Sequence, residues 1–120
     1  MLSTQFDMTL LGALLEMGGE ELRTQLIADL RHAEKELETW CMVSGAGQSD
    51  SPQRLAQVLH NLRGLAMTVG ADQLTAACRH AETLLHDVNR ETLVGCLLRV
   101  VEESAGTRKA ISSCNALPPT

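Results

Sequence analysis

Four residues of this chain have types and spacings that suit nucleophilic chemistry: His60, Arg63, Gly64 and Glu82. Histidine is largely neutral near pH 7, and the ring nitrogen that lacks a proton is a nucleophile. Arg63 follows one helical turn later and supplies a permanent positive charge on the same side of a helix. A carboxylate that accepts a hydrogen bond from Nδ1–H would fix the ring tautomer and leave Nε2 free to attack.

The segment that carries His60 is predicted to be an amphipathic helix over residues 51–69. At 100° per residue, His60 lies opposite the apolar face, together with Gln57, Gly64 and Met67. Glycine inside a helix costs about 1 kcal/mol relative to alanine, so Gly64 beside an exposed imidazole indicates room for a partner. The alternative is a solvated histidine beside a tolerated glycine. The apolar face consists of Leu55, Val58, Leu59, Leu62, Leu65, Ala66 and Val69.

Glu82 is predicted to reach the histidine because a short turn at Gly70 joins its helix to that of His60. Both residues lie roughly 15–18 Å from this turn at the helical rise per residue, so an antiparallel hairpin places them at one height. We therefore expect the Glu82 carboxylate beside the His60 ring. The alternative is an exposed glutamate without a defined contact.

The elements that position these residues are all helical, since leucine and alanine greatly outnumber β-branched and aromatic residues. We expect an all-α fold, an antiparallel four-helix bundle with a short additional N-terminal helix that ends at Gly18-Gly19. The chain is predicted to be one domain over residues 1–120, with its helical core at 5–112 and a frayed tail at 113–120. The predicted helices cover residues 5–17, 20–43, 51–69, 71–86 and 90–112.

Composition excludes several classes of function. A net charge of −5 and a pI near 5.3 leave no basic surface for nucleic acid. No apolar run reaches the roughly 18 residues of a membrane span, and the N-terminus lacks the features of a secretory signal. The four cysteines form no CxxC motif and are expected to be reduced, which indicates a cytoplasmic protein.

The remaining histidines do not suggest a metal site. His80 and His86 are six residues apart on one predicted helix, and His32 lies on another. The sequence has no HxxxH pair, no inward Glu-x-x-His set of the kind that bundle metal sites use, and no GxxxxGK[ST] nucleotide loop. We expect no metal or cofactor bound by this chain.

The segment that begins at His60 resembles the histidine-containing phosphotransfer (Hpt) domain family. That family has the pattern His-x-Leu-Lys-Gly, then Gly-Ala or a similar pair, then a leucine and a small or cysteine position on the next helix. Arg63 stands where the family usually has lysine, which keeps the charge but changes its geometry. The residues that carry the resemblance are His60-Asn61-Leu62-Arg63-Gly64, Gly70-Ala71, Leu74, Cys78 and Glu82.

The resemblance implies a phosphocarrier of a two-component phosphorelay rather than an enzyme with its own kinase activity. His60 would accept a phosphoryl group from a receiver-domain aspartate or a hybrid histidine kinase and pass it to another receiver. Arg63 and Glu82 would assist the transfer, and Gly64, Met67 and Gln57 would form the docking surface. Mg²⁺ would be held by the receiver, and the chain is expected to be a monomer. The alternative is an Hpt-like interaction module that binds such partners without phosphotransfer.

Overall fold

The computed structural model describes residues 8–43, 52–85 and 90–113. These segments form four helices and contain no β-strand: α1 (Met8–Val43), α2 (Pro52–Val69), α3 (Asp72–Thr83) and α4 (Arg90–Ser113). In the described part of the chain, no helix is long and apolar enough to cross a membrane. The all-helical architecture that the composition predicts is confirmed.

The first two predicted helices are joined in the structure as α1. Gly19 has non-helical angles (φ 65°, ψ −158°), so α1 bends there without an intervening loop. The separate short N-terminal helix is therefore not confirmed, although the helix is interrupted at the predicted glycines. The left-handed φ of Gly19 explains why the interruption falls on this residue, because glycine has no Cβ to oppose it. The predicted start of this helix at residue 5 lies outside the described residues.

All four helices contribute to one apolar core. α1 packs against α2 and α4, and α3 packs against the same two helices, so each helix has two neighbours around the bundle. α2 buries one face as its apolar spacing predicts, and His60 stays on the other. The most deeply buried large side chains are Leu11, Leu15, Leu30, Leu37, Leu59, Leu62, Leu74, Leu97, Ile111, Val69 and Val100, with Cys78.

An ion pair between the buried Glu34 and the partly buried Arg108 joins α1 to α4, and it was not predicted from the sequence. Glu34 is 4% exposed, and its carboxylate accepts 2.8 Å hydrogen bonds from Nε and Nη2 of Arg108. The Ser104 hydroxyl donates to the same carboxylate at 2.7 Å. The hydrogen bonds to Glu34 raise the pKa of Arg108 above its usual value. Every oxygen of the buried carboxylate therefore has a donor, as burial of a charge requires.

Arg23 ties the C-terminal end of α4 to α1. Its Nη1 donates to the carbonyl oxygens of Ile111 and Ser112, and its Nε donates to Glu20 at 3.2 Å. A cation at a helix C-terminus offsets the negative end of the helix dipole and satisfies carbonyl groups that lack partners within the helix. The α1–α4 edge is thus held by polar contacts at both Arg23 and Arg108.

The connection between α2 and α3 is a tight helix-terminating turn at Gly70. The Ala71 amide donates to the Ala66 carbonyl at 2.8 Å, and the Gly70 amide donates to the Met67 carbonyl at 3.2 Å. This pair of hydrogen bonds defines a Schellman motif, whose central residue adopts a left-handed conformation. Gly70 does so with φ 76°. The short turn predicted at Gly70 is confirmed, and it fixes the register between α2 and α3.

Gly70→Ala should lower the free energy of unfolding by about 1 kcal/mol, because an L-residue resists the left-handed conformation. Gly106→Ala is the matched control, since a Cβ there meets nothing within 4 Å. That helical substitution should stabilise the protein by about 0.5–1 kcal/mol. Urea denaturation followed by circular dichroism measures both values. Equal effects of the two substitutions would contradict this account of the turn.

Candidate functional site

His60 lies on the exposed face of α2, away from the core. Gln57 and Gly64, on the same face, are also exposed, and the Met67 side chain is 55% exposed. The neighbours Leu59 and Leu62 are buried, so the helix is held firmly from behind. The structure therefore presents the imidazole to solvent on a rigid support, with an apolar methionine at the edge of the same surface.

Gly64 leaves a gap in this surface one turn after His60. A Cβ added to Gly64 would meet no atom within 4 Å, so the folded chain itself does not require glycine at this position. Its carbonyl accepts a 2.9 Å hydrogen bond from the Thr68 hydroxyl, within the same helix. The absence of a side chain makes the backbone of α2 directly accessible beside the ring. Glycine at this position leaves space on the protein surface beside the His60 ring.

Arg63 lies between His60 and Glu82. Its Nε donates to Oε2 of Glu82 at 3.1 Å, across the groove between α2 and α3. Its Nη2 lies 3.4 Å from Nδ1 of His60. Arg63 and Glu82 are each 24% exposed, so the ion pair is partly shielded from water. The three residues form a chain of contacts that runs from the imidazole through the guanidinium to the carboxylate.

The Glu82 carboxylate contacts Arg63 instead of the imidazole that it was expected to contact. The Gly70 turn does bring Glu82 to the height of His60, but the longer Arg63 side chain reaches the carboxylate first. An ion pair satisfies the carboxylate more strongly than a neutral ring N–H would, which explains the outcome. The prediction that Glu82 bonds directly to Nδ1–H is therefore wrong for this structure, although the three residues are neighbours.

Cys78 lies beneath the Arg63–Glu82 pair, with no exposed surface. The pKa of its thiol is raised to about 12, mainly by burial and also by the negative charge of Glu82, while the positive charge of Arg63 acts in the opposite direction. The thiol is consequently uncharged at any physiological pH. It adds no negative charge that could compete with Glu82 for the guanidinium of Arg63.

A cleft of about 520 Å³ opens between α1 and α2 beside the histidine face. Gln57 and Asn61 line it from α2, and residues of α1 form the opposite wall. Arg54 donates to both carboxylate oxygens of Glu36 across one end, at 2.7 and 3.0 Å. This pair was not predicted, because the two residues are distant in sequence and belong to no motif.

The other histidines stand apart from this site. His32 contacts the Glu36 carboxylate at 3.3 Å, and His80 lies 3.8 Å from the Cys96 sulfur. Within residues 8–43, 52–85 and 90–113, no group of three or more His, Cys, Asp or Glu side chains could hold a metal ion. His86 lies outside the described residues.

The chain is similar in sequence to a known family of proteins. The family model described as the Hpt domain matches residues 13–108, which include α2, α3 and most of the rest of the bundle. The chain belongs to the Hpt domain family. Membership supports the role of a phosphotransfer carrier in a phosphorelay, with receiver and kinase domains of two-component systems as the class of partner.

The fold of this Hpt domain also resembles a solved structure. A rice protein described as a histidine-containing phosphotransfer protein superposes with a TM-score of 0.73 at 19% identity, and the match covers 92% of this chain and 79% of the rice protein. At this identity the likeness establishes a shared fold. No curated protein matches the chain significantly.

The buried thiol of this Hpt domain should be inert toward alkylation. At pH 8 a thiol with a pKa of about 12 remains protonated, and thiol reagents attack the thiolate. Iodoacetamide should therefore label Cys78 only after denaturation, whereas the partly exposed Cys96 reacts in the native protein. Peptide mass spectrometry with and without urea measures this. Labelling of Cys78 at the rate of Cys96 in the native protein would contradict the packing beneath the Arg63–Glu82 pair.

Proposed function

We propose that this Hpt domain is the phosphocarrier of a two-component phosphorelay, with His60 as the residue that carries the phosphoryl group. One observation carries the proposal. Within an Hpt fold, His60 is an exposed imidazole on a firmly packed helix, beside a guanidinium and a gap at Gly64. This combination suits a nucleophile that must meet a second protein rather than a small molecule in a pocket.

In the proposed transfer, Nε2 of His60 attacks the phosphorus of an aspartyl phosphate on a receiver domain. The N–P bond forms as the P–O bond to the aspartate breaks, and the carboxylate leaves. Arg63 supplies positive charge for the phosphoryl oxygens, which suits its partly exposed position one turn from the ring. The reverse sequence on a second receiver returns His60 to its starting state. The chain needs no nucleotide for either step.

The proposed docking surface consists of Gln57, Gly64 and Met67 around His60. Gly64 lets the receiver approach the ring closely, while the exposed Met67 offers an adaptable apolar contact. The adjoining cleft, with Gln57 and Asn61 on one wall, continues this surface toward α1. We propose that a monomer docks one partner at a time through this face.

We further propose that Mg²⁺ for the reaction is held by acidic residues of the receiver, and that this chain contributes no cofactor. The proposed location is the cytoplasm. A donor kinase or receiver would supply both the phosphoryl group and the metal, which leaves this chain the role of acceptor and donor of phosphate.

His60→Gln should keep the fold and abolish phosphate acceptance. The side chain is exposed, and exposed substitutions usually change stability by no more than about 0.5 kcal/mol. Thermal melts by circular dichroism and transfer from a phosphorylated receiver measure the two effects. Transfer by the folded variant would exclude His60 as the acceptor. If parent and variant both bind the receiver and neither becomes phosphorylated, the chain is an interaction module without phosphotransfer.

Gly64→Gln should block transfer without destabilising the isolated protein. A Cβ at this position meets no atom within 4 Å and the position is exposed, so a loss of transfer in the folded variant would arise from obstruction of the partner. Gly106→Gln is the matched control, because Gly106 is equally open and lies on α4, which α2 does not contact. Transfer rates at saturating receiver should fall at least tenfold for the first variant and remain unchanged for the second. Unchanged rates for both would make Gly64 a tolerated glycine.

A further inference from the structure

Arg63 contacts both Glu82 and the ring of His60. Arg63 uses two different nitrogens, Nε toward Glu82 and Nη2 toward Nδ1 of His60. The guanidinium is planar and rigid, so the bond at Nε fixes the direction in which Nη2 points. Glu82 therefore orients the Arg63 guanidinium, which in turn contacts the His60 ring. The Glu82 carboxylate itself does not bond to the ring in this structure.

The direction of the hydrogen bond to the ring follows from the chemistry of arginine. A guanidinium has only donors and keeps its charge in proteins, so Nδ1 of His60 must accept. In the neutral ring the proton then resides on Nε2. That is the opposite tautomer from the one that a carboxylate partner at Nδ1 would select.

We propose that Glu82 is a positioning residue that acts on His60 through Arg63, and that the Arg63 contact holds the resting ring in its Nε2–H tautomer. Phosphate acceptance at Nε2 then requires Arg63 to leave Nδ1. The consequence for transfer rests on the proposed function, whereas the tautomer itself is a property of the isolated protein.

The proton balance shows why the release of Arg63 matters. In the Nε2–H tautomer, Nε2 has no free lone pair with which to attack phosphorus. The ring must lose the Nε2 proton to solvent and gain a proton at Nδ1, but the lone pair of Nδ1 accepts the hydrogen bond from Nη2 of Arg63. After this exchange Nε2 forms the bond to phosphorus, and the released guanidinium is free for the phosphoryl oxygens. Arg63 therefore cannot hold Nδ1 of His60 and bind the phosphoryl oxygens at the same time.

The surroundings of Arg63 favour Glu82 as the anchor. The pair is partly buried, and the Cys78 thiol beneath it is uncharged, so the carboxylate is the counter-charge in contact with the guanidinium. A partner that draws Arg63 away from Nδ1, for example with the anionic phosphoryl group itself, would release the ring at the moment of docking. The acceptor atom would then become reactive only when its substrate is present.

The test is a long-range ¹H–¹⁵N correlation spectrum of the histidine rings at a pH where they are neutral, with His60 assigned from the His60→Gln spectrum. Removal of the anchor by Glu82→Ala should raise the ratio of the Nδ1–H to the Nε2–H form of His60 about fivefold, the equivalent of one ordinary hydrogen bond. Glu82→Gln should fall between parent and Ala, since its amide oxygen still accepts from Nε. Arg99→Ala, which removes the Arg99–Glu103 pair on α4, should leave the ratio unchanged.

The double variant Arg63→Ala with Glu82→Ala should show no further rise beyond Glu82→Ala alone, since the two residues act in series. A fall in the Nδ1–H share after Glu82→Ala would mean that Glu82 contacts the ring directly, and would overturn the inference. An unchanged ratio in Glu82→Ala would overturn it as well. With a rise in the double variant, Arg63 would need no anchor, and without such a rise the Arg63 contact would not determine the tautomer. The spectra require no phosphorylated partner. If the parent protein accepted no phosphoryl group, or if the folded His60→Gln variant still accepted one, the proposed function would fail and these spectra could still be interpreted.

Discussion

The Schellman turn at Gly70 is the constraint on which the site depends. It reverses the chain within a few residues and thereby fixes the register of α2 against α3. Only in this register does Glu82 come within reach of Arg63, and only then does Arg63 have an anchor from which it contacts His60. The remainder of the bundle holds the two helices in place, through the apolar core and through the Glu34–Arg108 ion pair on the opposite edge.

The sequence predicts the features that depend on the spacing of apolar and polar residues along a single helix. The exposure of His60 and Gly64, and the burial of Leu59 and Leu62, follow from helical periodicity because each helix must bury one face. The turn was predictable as well, since Gly70 is the residue that most easily adopts a left-handed conformation. The continuation of the first two predicted helices as α1 was not predictable, because a glycine can bend a helix as readily as end it.

Contacts between polar side chains on different helices could not be predicted from the sequence. The height of Glu82 beside His60 could be predicted, but not that Arg63 would take its carboxylate, because the choice depends on side-chain reach and on competing partners. Likewise, no local pattern pairs Glu34 with Arg108, which are far apart in the chain. The resemblance to the Hpt family suggested a direct contact between Glu82 and the His60 ring, and in this chain Arg63 lies between the two residues.

Whether His60 carries the phosphoryl group is tested by locating that group on the phosphorylated chain. The full chain would be incubated with a phosphorylated receiver, quenched at alkaline pH where phosphohistidine survives, and fragmented for mass spectrometry by a method that retains labile phosphate. We expect one phosphoryl group per chain, on the peptide that contains His60 and on that residue. Phosphate on His32, His80 or His86 instead, or stable attachment to a serine or threonine, would contradict it.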